Sequence, residues 1–452
     1  MRFRWKKAPP GPRGYPLLGL LHKAWQDPPR FFLDVALRYG EVVRLRMGVH
    51  RAYLLSHPEH IKHVLQDNFL NYVKSPPRIE KIKPLFGEGL TTSEGDAWRR
   101  QRHLIQPAFH RERIAGFTAV ITDATTAMVE HWRTSAAKPL DIAAEMLQLT
   151  RGITLKALFS TDLKDEAAAV DRALTIVLEH INRTAWALIN LPERLRTPRT
   201  RRFQHALTVL DTFVYRMIDE RRYTEKGTDD VLAMLLSARD EETGEGMSDR
   251  QLRDEVMTMF VAGHQTTSNV LAWTWYLLSK NPEVQRRLQA ELVRVLGSRT
   301  PTYQDVPQLT YTRMVIEEAM RLYPPTWITA RRPVEADTIG GYHIPANAVV
   351  LLSPYVTHHH PAFWENPEGF DPDRFTAEQV AERPRYAYFP FGGGPRVCVG
   401  RSLALVEAQL IIATVAQQYR LDLVPGYPVE PQAMMTLHPR HGVLMTLHKQ
   451  PV

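Results

Sequence analysis

From Ser248 to about Ser279 the chain reads as one uninterrupted helix, and no other segment restricts the fold as much. Ser248 and Gln251 have the spacing of a capping box, Gly246 sits just before them, and Asn281-Pro282 restarts a new helix beyond the end. About 32 residues at roughly 1.5 Å each make a rod of roughly 48 Å, long enough to cross a whole domain. Between Val256 and Leu278 the segment is apolar nearly all round. A helix without a polar face belongs in the middle of a fold, covered on every side.

The remaining sequence supplies the cover. From about Asp96 to Arg222 apolar positions repeat three and four apart, the pattern of helices. Another helix is expected from Thr312 to Leu322, stopped by Pro324-Pro325. Glu41–Leu45 and Ala52–Leu55 flank a turn near Gly48 and predict a β-hairpin. Short strands are expected at Tyr342–Ile344, Val349–Leu352, Leu421–Val424 and Gly442–Leu447. A last helix after Cys398 places Leu403, Val406, Leu410 and Ile411 on one face. The expected class is mainly α with a small β region. With no repeat, long linker or low-complexity tract, residues 1–452 are expected to form a single domain.

At 44% hydrophobic and 23% charged residues, the composition is that of an ordinary globular chain. No stretch approaches the roughly 18–20 uninterrupted apolar residues of a membrane span. The basic start, Met1 to Lys7, runs into Pro9-Pro10-Gly11-Pro12 without the apolar core of a signal peptide, so a cytoplasmic protein is expected. A net charge of +8 suits acidic partners or surfaces, and solubility explains it equally well. No zinc-finger spacing or basic helix points to nucleic acid. The single cysteine, Cys398, rules out an internal disulfide and fits a reducing compartment. Taken alone, such a residue is usually a small buried hydrophobe.

Its neighbours argue otherwise. Phe391-Gly-Gly-Gly-Pro-Arg-Val-Cys-Val-Gly400 lets the backbone bend tightly and approach a flat ligand. A helix beginning at the cysteine would turn its unpaired N–H groups and positive end toward a thiolate. Gly400 leaves room for backbone against sulfur, and Arg396 is placed to meet a carboxylate on a cofactor edge. A Gly-rich turn before a helix also suits phosphate. The whole segment, however, resembles the haem-binding loop of the cytochrome P-450 superfamily, Phe-x-x-Gly-x-Arg-x-Cys-x-Gly, at every fixed position.

The resemblance extends over nearly the whole chain. Glu318-Ala-Met-Arg321 looks like the family's Glu-x-x-Arg, two side chains on one helix face. In the family they lock to a later arginine, here Arg374 of Phe370-Asp-Pro-Asp-Arg-Phe375, and support the haem loop. Trp98-Arg-Arg-Gln-Arg102 resembles the Trp-x-x-x-Arg helix whose Trp and Arg hold a haem propionate, leaving Arg99 and Arg100 to point elsewhere. Arg331, or its neighbour Arg332, resembles the further propionate arginine, with Arg331 preferred.

Ala262-Gly-His-Gln-Thr-Thr267 puts a polar notch in the apolar rod, a cost unless it is partnered. A satisfied helix–helix contact is one reading. The resemblance supplies another: the family's Ala-Gly-x-acid-Thr groove, where Thr266 would steady activated oxygen and relay a proton. The sequence departs from that pattern at Gln265, an amide where an acid is usual. His264 is expected to face solvent or a neighbouring helix. Gly89-Leu-Thr-Thr-Ser93 resembles the loop overhanging the haem, and Thr91 stands where similar enzymes often carry a large aromatic, which leaves a roomier pocket. Ala185 to Leu191, with Arg194, Arg196, Arg199, Arg201 and Arg202 beyond, falls where the family has its mobile lid. A membrane-touching patch and a plain turn both remain open there.

The resemblance thus implies a mainly α triangular prism holding haem b, with the Cys398 thiolate as iron ligand. Cofactor contacts are expected from Trp98, Arg102, Ala262, Arg331, Phe391, Gly392 and Arg396, and catalytic roles from Thr266 and Gln265. The implied reaction is hydroxylation of a lipophilic substrate by dioxygen. Electrons would come from a separate acidic ferredoxin, flavodoxin or flavin reductase. A peroxide-driven peroxygenase and a haem sensor or carrier are the alternatives.

Overall fold

The computed structural model describes residues 8–15, 18–48, 50–135, 138–162, 166–186, 197–223, 230–239 and 244–450. The long helix runs Asp249–Lys280. The Ser248 hydroxyl accepts the Gln251 N–H, and the Gln251 side chain accepts the Ser248 N–H at 3.1 Å, closing the predicted box. Its side chains are buried from Leu252 to Leu278 except around Ala262, Gly263, Gln265, Thr266 and Tyr276. Helices Ile142–Phe159, Pro198–Tyr223, Thr310–Leu322 and Arg401–Gln418 pack on it and share one large apolar core with it. Arg111–Ser135 lies across Ile142–Phe159 and Arg401–Gln418.

The β region flanks this bundle. Val42–Met47 and His50–Leu55 form the expected hairpin, with Leu45 opposite Ala52. Val349–Leu352 joins it in parallel, Thr329–Pro333 follows antiparallel, and Tyr72–Lys74 closes a five-stranded sheet. At that edge Lys74 stands opposite Arg331 and Val73 opposite Arg332. Strands Tyr342–Ile344 and Val349–Leu352 lie where the sequence predicts them, and the last two start two residues away from the expected positions, at Tyr419–Leu423 and Leu444–Lys449.

Two helix starts differ from expectation. Thr310–Leu322 begins two residues early because the Glu291 carboxylate, from helix Pro282–Leu296, accepts the N–H groups of Tyr311 (2.7 Å) and Thr312 (2.8 Å). A cap delivered by another helix has no local signature. The helix after the cysteine begins at Arg401, with Gly400 as its cap, and not at Cys398 itself. Of the expected lid, residues 187–196 lie outside the described residues, as do residues 1–7, while Arg199, Arg201 and Arg202 belong to helix Pro198–Tyr223. Among the described residues no helix is long and apolar enough to cross a membrane.

The Glu318 carboxylate is fully buried and clamped by Arg321, whose Nε and Nη2 donate to it at 2.6 and 2.7 Å. Arg374 stands 3.4 Å from its Oε1, and the Asp371 N–H donates to the same oxygen at 3.0 Å. Removing the carboxylate leaves two guanidinium groups without their counter-charge. Glu318→Ala is expected to cost about 3–5 kcal/mol, read as a loss of folded, soluble protein and a lower unfolding midpoint.

Candidate active site

The cysteine loop closes on itself. The Cys398 N–H donates to the Phe391 carbonyl at 3.0 Å, and the Val397 N–H donates to the Gly394 carbonyl at 3.1 Å. Gly394 has a φ of 63°, in the left-handed region, and a Cβ there would overlap the Leu65 carbonyl. Its N–H donates to the Tyr386 hydroxyl at 3.1 Å, and that hydroxyl donates to Gln66 at 3.0 Å. The loop therefore rests on the His63–Asp67 turn, 330 residues earlier in rough terms of chain distance.

Cys398 is accessible, yet protein surrounds it deeply enough for burial to raise its thiol above the usual range. These two facts agree if the sulfur opens into an interior hollow. The Gly400 N–H, the charges of Arg102 and Arg401, and the Arg401 N–H all oppose the rise and favour a thiolate. The donors expected of a helix start are thus present although the helix begins three residues later. Gly400 is not forced by the sulfur: a Cβ there would sit 4.0 Å from Sγ, an ordinary contact.

Helix Gly95–Ile105 brings up Trp98 and Arg102. Arg102 Nη1 donates to the Val397 carbonyl at 2.9 Å, tying this helix to the cysteine loop. The Arg396 guanidinium lies 4.2 Å over the Trp98 ring and pairs with Glu94. Arg331 is interior, and among the described residues its Nη1 donates only to neutral oxygens, Thr329 Oγ1 (3.2 Å) and the Ala330 carbonyl (3.1 Å). Burial and the nearby Arg396 and Arg78 charges push it down to about 10. Lys74 is pulled down to about 7, by burial first and Arg396 next, with its ammonium donating to the Leu90 and Ser93 carbonyls at 3.0 Å each. Side chains alternate along a strand, so Arg331 joins this cationic group and Arg332 does not. Arg99 points outward to Asp96, as expected.

In the central helix Thr266 Oγ1 donates to the Ala262 carbonyl at 2.8 Å and Thr267 Oγ1 to that of Gly263 at 3.2 Å. Part of the notch is a helix–helix contact. A Cβ on Gly263 would stand 3.0 Å from the Thr154 methyl, and Thr150 donates to the His264 carbonyl at 3.1 Å. His264 is buried against that neighbouring helix with Nδ1 2.5 Å from the Phe260 carbonyl, and burial lowers it to about 4. Ala262 and Thr266, four apart, share a face, and Ala262 is exposed in the midst of a buried helix. Gln265 turns elsewhere: it lines a cleft of about 770 Å³ with Asp141, Glu179, Asn182, Asn269 and Met434.

Three further residues shape the site and carry no sequence signal as single charges. Glu94 holds both Arg396 and the Lys74 N–H, the latter at 2.6 Å. Lys74 spans the loop above. Glu255, fully buried and raised to about 7 by burial, accepts the Leu90 N–H at 3.0 Å beside half-buried Thr91.

The family model for cytochrome P450 matches residues 9–446. Cyclooctatin synthase of Streptomyces melanosporofaciens is 41% identical over 428 residues, 94% of this chain and 92% of that protein. Cyclooctat-9-en-7-ol 5-monooxygenase of the same organism is 39% identical over 92% of this chain and 90% of its own length. Pentalenene oxygenase of Streptomyces avermitilis is 31% identical over 95% of each. The crystal structure of the cytochrome P450DA heme domain superposes with a TM-score of 0.90 at 29% identity, over 98% of both chains. The chain belongs to the cytochrome P450 family. It is an oxidoreductase, a haem-thiolate monooxygenase whose haem b is held by the thiolate of Cys398; it uses dioxygen, a hydrophobic substrate and a redox partner. A peroxygenase or a haem sensor is not favoured. Buried guanidinium bonded only to neutral oxygens fits a cofactor that carries two carboxylates.

The seat of the loop is testable. Gly394→Ala is expected to cost about 2–4 kcal/mol, from left-handed strain plus overlap with Leu65. Gly426→Ala, at a φ of 78° with nothing within 4 Å, should cost only about 1–2 kcal/mol. Unfolding midpoints of the two variants make the comparison.

Proposed function

We propose that this chain hydroxylates a terpenoid, because relatives 41%, 39% and 31% identical to it bear the names cyclooctatin synthase, cyclooctat-9-en-7-ol 5-monooxygenase and pentalenene oxygenase. The haem supplies reductive activation of dioxygen and insertion of one oxygen atom; the protein supplies position, charge and protons. Arg331 and Arg396, with Trp98 and Arg102, hold the propionates. The observation that carries this assignment is Arg331, an interior guanidinium that donates to the neutral oxygens of Thr329 and Ala330 and, among the described residues, pairs with no carboxylate. Phe391 and Gly392, beside Cys398, and Ala262, on the open face of the central helix, would also contact the haem. Thr266 presents its hydroxyl one turn from Ala262 and passes a proton onward.

Residues 1–452 act as one haem domain in the cytoplasm, and an acidic ferredoxin, flavodoxin or flavin reductase donates the electrons. The net charge of +8 supports a donor of opposite sign. Thiolate ligation is read from the reduced carbonyl complex. The unsubstituted protein should show the absorption band diagnostic of a thiolate, and Cys398→Ser should lose it. Survival of that band in the variant would refute the assignment.

Gln265 keeps hydrogen-bond geometry and cannot deliver a proton by titrating. It lines a cleft with Glu179 and Asp141, and these two carboxylates support proton entry on that side. Gln265→Glu is therefore expected to raise, several-fold, the share of reducing equivalents recovered as hydroxylated product, with less hydrogen peroxide released. Unchanged coupling would remove Gln265 from the catalytic set.

A further inference from the structure

Where the chain enters the β-hairpin, Glu41 faces two histidines at the start of the short helix Pro58–Lys62. One donor atom from each of Glu41, His57 and His60 lies within 4.8 Å of the other two. His57 Nε2 is 4.0 Å from a Glu41 carboxylate oxygen, and the two imidazole centroids are 5.2 Å apart. None of the three touches the haem site described above. We propose that Glu41, His57 and His60 bind one divalent transition-metal ion of the zinc type.

Two imidazoles and a carboxylate are a sufficient protein set for zinc with one open position, and imidazole nitrogen favours zinc, nickel or copper over magnesium or calcium. Bonds of about 2.0–2.2 Å in a tetrahedron bring donors to about 3.4 Å apart, so the cluster must close by roughly 1 Å. Glu41 is exposed and can rotate to close it. His60 supplies the independent sign of a ligand: its Nδ1 is buried and has no hydrogen-bond partner among the described residues. A Cβ on Gly340 would stand 2.9 Å from His60 Cε1 and 3.1 Å from Nε2, so that backbone covers the Nε2 edge and leaves Nδ1 as the ligand.

Burial and the neighbouring His57 lower the pKa of His60, opposed by Glu41 and Glu59 and supported by His63; the ring is neutral and its lone pair available at neutral pH. His360, also lowered by burial, senses Glu41 and His57 from the far side. His57 Nδ1 accepts the Glu59 N–H at 3.2 Å. Ligation through His57 Nε2 moves the ring proton to Nδ1 and gives up that bond, which limits the site to moderate affinity.

The test is calorimetric titration of tag-free, haem-loaded protein with zinc ion after treatment with a chelator. One ion per chain is expected in the micromolar range, weakened about tenfold or more in His60→Gln and in Glu41→Gln. The haem absorption spectrum should stay the same in both variants, and a His22→Gln control should bind as the unsubstituted protein does. No stoichiometric uptake by the unsubstituted protein, or uptake unchanged in His60→Gln, overturns the proposal.

Discussion

A carboxylate with no access to water, Glu318, is the charge on which the haem-binding half of this protein depends. Its partner Arg321 is equally buried and donates further to the carbonyls of His358 (2.9 Å), Pro367 (2.6 Å) and Gly369 (2.8 Å). One helix turn thereby fixes the irregular stretch from His358 to Arg374, which has little regular structure of its own. From there the order passes on. The Phe389 N–H donates to His358 Nε2 at 3.0 Å, two residues before the cysteine loop opens at Phe391. Burial, with His359 and Arg321 nearby, holds the pKa of His358 well below the usual value, so the ring stays neutral and keeps that acceptor. Arg321 and Arg383 lie 5.0 and 4.1 Å over the Trp364 ring, which fills the space between them.

On the other side of the sulfur, charge is arranged in the opposite sense. Sheet pairing puts Lys74 against Arg331, and the cysteine loop adds Arg396, while Glu94 neutralises only part of the group. Like charges gathered in the interior cost free energy unless anions are taken up there. Around the sulfur, N–H groups and guanidinium charge offset part of the desolvation of a thiolate. Both halves of the site are thus preorganised for negative charge, which matches a cofactor bearing two carboxylates and bound through sulfur.

The notch in the central helix serves two ends. Gly263, His264 and Thr267 satisfy themselves within the packing of this helix against Ile142–Phe159. Ala262 and Thr266 present the opposite, open face. Gln265 belongs to neither and looks onto the cleft that holds Asp141 and Glu179. One short motif therefore divides among three environments, because consecutive helical residues point about 100° apart.

What the chain determines by itself is whatever rests on local spacing. The Ser248–Gln251 box, the apolar rod, Glu318 and Arg321 one turn apart and the glycines before Cys398 are all local patterns, and each stands in the structure as read. The start of the last helix at Arg401 shifted because three residues first complete the turn around the sulfur. Glu291, Glu94, Lys74 and Glu255 were invisible: each is a single charged residue whose partner lies far along the chain. The choice between Arg331 and Arg332 had the same origin, since two adjacent arginines are equivalent until sheet pairing assigns one to each face. Local periodicity and capping depend on neighbours a few residues apart, whereas a buried charge is stabilised only by the partner that folding brings to it.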